Sequence, residues 1–82
     1  MNQTPKEKAK ELFDEYYILI LNNSGELLNE IIISILTKQS CLIAVNEIIK
    51  ATKPLISTYF WKEVKEELII YKNQNYEQRN IL

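Results

Sequence analysis

The chain has no histidine, one cysteine, one glycine and two prolines in 82 residues. The missing histidine removes the commonest general base, proton shuttle and metal ligand. Cys41 stands alone, so neither an intramolecular disulfide nor a cysteine-based zinc site can form. Without an imidazole to take its proton, this thiol lacks the group that would activate it as a nucleophile, and it reads as a small core residue. With Gly25 as the only glycine, no glycine-rich loop can cradle a phosphate. Asp14 is the only aspartate, which excludes an EF-hand loop. Paired carboxylates do occur, as Glu11 with Glu15 and Glu63 with Glu67. Each pair lies in a charged stretch of a helical pattern and reads as a solvated face, not an acid/base dyad. The expectation is a non-enzymatic protein with no cofactor and no metal.

Charge narrows the partners. Ten basic residues face eleven acidic ones, for a net charge of −1. Lys6 and Lys10 share a stripe with Tyr17, Lys50 and Lys53 cluster, and so do Lys62 and Lys65. Their neighbours include Glu7, Glu11, Asp14, Glu47, Glu63 and Glu66. A helix-turn-helix across residues 38–72 would turn Glu63, Glu66 and Glu67 toward phosphates. Independent nucleic-acid binding is therefore not expected. The stretch from Met1 to Lys10 is polar and carries no signal core. The longest unbroken apolar run is Tyr16 to Leu21, and the richer stretch Leu27–Ile49 is broken by Asn29, Glu30, Lys38, Gln39, Asn46 and Glu47. A membrane span needs about 18–20 nearly unbroken apolar residues, so none is expected, and the expected compartment is a reducing cytoplasm.

The 46% of apolar residues is enough for a packed core and too high for a disordered chain. Thr4-Pro5-Lys6-Glu7 combines a cap, a first-turn proline and a capping box. It predicts a helix over about residues 5–21, with Ala9, Leu12, Phe13, Tyr16 and Ile20 inward. Asn22-Asn23-Ser24-Gly25 ends it. The middle segment, Glu26 to Thr52, has a clear inward stripe of Cys41, Leu42, Val45, Ile48 and Ile49. Ahead of it, Leu27, Leu28, Ile31 and Ile35 form a slightly rotated stripe. Such an all-round apolar helix is expected at the centre of its fold. Thr37-Lys38-Gln39-Ser40 is a candidate break, and Ile31-Ile32-Ile33 a candidate strand, although no partner strand is evident. Pro54 stops the segment by pushing residue 53 out of the helical region. Ser57 or Thr58 caps a third helix with Phe60, Trp61, Val64, Leu68 and Tyr71 inward and a Lys62–Glu66 ion pair outside. The fold expected is all-α, a small antiparallel bundle of about three helices over residues 1–72. Residues 73–82 read as a polar, frayed or disordered tail.

The most informative feature is apolar surplus. Tyr17, Ile18, Leu21, Ile32, Leu36, Ile43, Tyr59, Ile69 and Ile70 fall off the inward stripes. Either the bundle buries most of them after all, or they form a surface for a second copy or for a different protein. Tyr59, Glu63, Glu66 and Ile70 share one outward stripe whose mixture of aromatic, aliphatic and charged groups suits a protein interface.

Three segments carry a resemblance: Lys8-Ala9-Lys10-Glu11-Leu12, Cys41-Leu42-Ile43-Ala44-Val45-Asn46-Glu47-Ile48-Ile49, and Tyr59-Phe60-Trp61-Lys62-Glu63-Val64-Lys65-Glu66-Glu67-Leu68. Together they resemble small uncharacterised helical proteins of phages and prophages of Bacteroidetes, especially flavobacteria, over roughly residues 6–70. These are mostly core residues and carry no chemistry. Where those relatives have a polar loop ahead of the second helix, this chain has the apolar stretch Leu27–Leu36. The resemblance implies a phage protein that binds host machinery in the bacterial cytoplasm. Its most concrete form is an anti-CRISPR blocking an RNA-guided effector nuclease or its guide-RNA complex, with an RNA-targeting type VI effector as the target. The expected contact residues are Tyr17, Ile18, Tyr59 and Ile70, with Lys62, Glu63 and Glu66 as rim charges. A homo-oligomeric helical module, homodimer included, and a nucleic-acid-binding accessory protein are the alternatives.

Overall fold

Thr4 fixes where the chain becomes helical. Its backbone is extended (φ −77°, ψ 160°). Its hydroxyl accepts the Glu7 N–H at 3.1 Å, while the Glu7 carboxylate accepts the Thr4 N–H at 2.9 Å. That reciprocal pair satisfies two amides that the first helical turn leaves open. In the computed structural model, which describes residues 3–25, 28–53 and 57–71, three helices follow: α1 (Pro5–Ser24), α2 (Glu30–Thr52) and α3 (Ser57–Ile70). The all-α class is thus as expected. α1 runs one turn beyond the expected end, and Gly25 leaves it at φ +60°, a value that favours glycine. The expected tail, residues 73–82, lies outside the described residues.

The middle segment differs from expectation at its start. Asn29 is the cap, with its Oδ1 accepting the Ile32 N–H at 2.9 Å, so the helix begins at Glu30 and not at Glu26. From there it is continuous through Thr37-Lys38-Gln39-Ser40, and Ile31-Ile32-Ile33 is helical. At the far end Lys53 is extended (φ −64°, ψ 138°), as a residue before proline must be. Neither Ser57 nor Thr58 is a cap, since both lie inside α3. The buried Thr58 hydroxyl instead donates to Thr52 Oγ1 at 3.1 Å and ties the first turn of α3 to the last turn of α2.

Each helix packs on the other two. Lys8 lies 6.0 Å from the Trp61 ring, and the Phe13 and Tyr71 rings are 4.5 Å apart. α1 and α3 therefore run in the same direction, with α2 antiparallel to both. Ala9, Cys41, Val45, Ile49, Val64 and Leu68 form the core, flanked by Leu12, Tyr16, Leu42, Phe60 and Trp61.

On α2 the buried residues are Ile33, Thr37, Cys41, Val45 and Ile49. They form a strict i, i+4 row, which advances about 40° per step and turns through about 160° along the helix. Ile31 and Ile35, expected inside, lie outside it at 46% and 52% exposure. Ile33 takes their place at 1%. Thr37 is accommodated because its hydroxyl donates to the Ile33 carbonyl at 2.7 Å, and among the described residues no buried side-chain polar atom lacks a partner. α2 is not the central helix. In a bundle of three mutually packed helices it buries one winding row, half-buries Leu42, Ala44 and Ile48 beside it, and leaves Ile31, Ile32, Ile35, Leu36 and Ile43 exposed.

The 14 residues of α3 span only about 21 Å, against about 30 Å for α1 and about 34 Å for α2. Lys38 Nζ donates to the Ile69 carbonyl at 3.1 Å, a cation on the open end of α3. With Tyr71 against Phe13, this places the end of α3 level with the middle of both other helices. The later turns of α1 and the first turns of α2 extend beyond it.

Candidate partner-binding surface

The described residues offer little reactive chemistry. Cys41 is buried, and burial pushes its thiol up to about 11. At neutral pH it is a poor nucleophile. Glu11 is held below the usual carboxylate range by hydrogen bonds from Lys8 and Gln3. Lys10 is raised by its hydrogen bond to Asp14, and the Tyr71 hydroxyl is raised by burial and by the Asp14 charge. Lys8–Glu11 (2.8 Å), Lys10–Asp14 (2.7 Å) and Lys50–Glu47 (3.3 Å) are ion pairs within single helices. Two of the lysines weighed as phosphate contacts, Lys10 and Lys50, are thus already engaged by carboxylates. Among the described residues no group of three or more acidic or cysteine side chains could hold a metal ion.

Exposed apolar surface is the prominent feature. Eight of the nine residues placed outside the core by sequence are exposed: Ile18, Leu21, Ile32, Leu36, Ile43, Tyr59, Ile69 and Ile70. Tyr17 is the exception. It is half-buried, with its ring stacked 6.0 Å from Phe13. Leu19, Ile31 and Ile35 join the exposed set. Sequence wheels missed the last two because the buried row winds around α2 and passes through Thr37, a polar residue. Counting back by fours from Cys41 would have found Thr37 and then Ile33.

Of the expected contact residues, five share one face of α3. Tyr59 (69% exposed), Lys62, Glu63, Glu66 and Ile70 (67%) recur at spacings of three and four over about 16 Å. Lys62 Nζ sits 5.9 Å from the centre of the Tyr59 ring, a cation–π contact. That contact replaces the expected pairing of Lys62 with Glu66. Ile18 stands apart, on the part of α1 that projects past the end of α3.

α2 also has the length and composition to cross a membrane, which its sequence had seemed to exclude. It has 23 residues, and its most apolar 18-residue window has a mean hydropathy of 1.5, with 22% of that window buried in the fold. Comparison with protein-family models, curated proteins and solved structures found no match for the chain.

Proposed function

We propose that this protein acts by stoichiometric binding, as a phage-encoded inhibitor that docks on a bacterial defence protein. The observation that carries the reading is the α3 face. It presents a highly exposed tyrosine, an exposed isoleucine and three charges on a rigid helix that contributes Val64 and Leu68 to the core. An exposed aromatic anchor rimmed by charge is what a protein interface uses. The resemblance of the three sequence segments to flavobacterial phage proteins supports the context. Within it, the most concrete target is an RNA-guided effector nuclease, an RNA-targeting type VI effector in particular. Inhibition would follow from occupying the nucleic-acid channel or from favouring an inactive state of the effector.

The test is target-RNA cleavage by a purified type VI effector loaded with guide RNA, with and without the protein. Inhibition should saturate near one protein per effector, and Tyr59→Ala should weaken it while leaving the helical circular dichroism unchanged. Full cleavage at a large excess of protein would reject the type VI target. Failure to recover any host protein in stoichiometric amount would reject the inhibitor reading itself.

A further inference from the structure

We draw no further inference here: the strongest candidate, the exposed apolar patch of Ile18, Leu21, Ile31, Ile32 and Ile35 on the parts of α1 and α2 that extend past the end of α3, carries nothing, because nothing in the structure shows what covers it.

Discussion

Ile31 and Ile33 are chemically identical and two positions apart on α2, yet the fold gives them opposite roles. Ile33 is 1% exposed and Ile31 46% exposed. Replacing a buried isoleucine by alanine forfeits its transfer free energy and leaves a cavity, together about 2–5 kcal/mol. Full burial of an isoleucine side chain is worth about 1.5–3 kcal/mol, so half-exposed Ile31 has roughly half of that to lose. Alanine returns a few tenths through its better helix propensity, and no closed cavity forms. Ile31→Ala should therefore cost about 0.5–1 kcal/mol. A domain of this size has about 4–12 kcal/mol of stability in all, and each kcal/mol moves its melting point by about 4–8 °C. Ile33→Ala should leave a marginally folded protein, while Ile31→Ala melts within a few degrees of the wild type. Urea unfolding followed by circular dichroism gives both numbers. It should be run at the lowest workable concentration, so that self-association does not add to stability. Equal costs, or a larger cost for Ile31→Ala, would refute the winding row and restore the stripe of Ile31 and Ile35 that a simple helical wheel selects.

Three further outcomes follow from the same core and its ends. Thr37→Val should be neutral or stabilising by up to about 1 kcal/mol, because the Ile33 carbonyl keeps its helical N–H partner and the new methyl is buried. Thr37→Ala should destabilise, and urea midpoints separate the two. Asn29→Ala should cost about 1 kcal/mol by removing the acceptor for the Ile32 N–H, and it should speed amide exchange in the first turn of α2 above all. Cys41 should resist alkylation at pH 8 until the protein is unfolded. Its thiol titrates at about 11 in the fold, against an ordinary value of 9.0. Between those values the unfolded chain has given up a proton that the folded chain keeps. Stability therefore falls as pH rises from about 9 to about 11, and Cys41→Ala should flatten that slope.

Much of this fold was legible because its signals are local. Thr4 and Glu7 sit at capping-box spacing, and the box forms. The apolar positions Val64 and Leu68 recur every four residues, and both are fully buried. Lys53 precedes Pro54 and leaves the helix. What stayed hidden depends on contacts between elements. Asn29 was passed over as one of several interruptions in an apolar stretch, although the helix starts there. Thr58 was expected to cap its own helix and bonds across to Thr52 instead. Lys62 was expected to pair with Glu66 and lies over Tyr59, one turn before it. The inward face of the N-terminal half of α2 was misassigned because its buried row winds. A fixed helical wheel finds only a straight face. The α3 stripe of the candidate surface was legible because amphipathic spacing alone separates Tyr59 and Ile70 from Val64 and Leu68. Tyr17 was not, because its stacking on Phe13 is a matter of rotamer.

The exposed apolar side of α2 is not something the fold requires. A three-helix bundle with this core needs Ile33, Thr37, Cys41, Val45 and Ile49 on α2, and it is indifferent to positions 32, 35 and 43. Glutamate, lysine or glutamine there would have equal or better helix propensity and would be better hydrated. From Asn46 to Lys50 the same helix does follow that pattern, with Glu47 and Lys50 exposed and Asn46 half-buried. Exposed apolar side chains of α2 run from Ile31 to Ile43, on both sides of Lys38, where the end of α3 lies. An exposed seam of this kind carries a standing risk of unspecific association. α3 carries a mixed aromatic and charged face, and the outer side of α2 an uncharged apolar one.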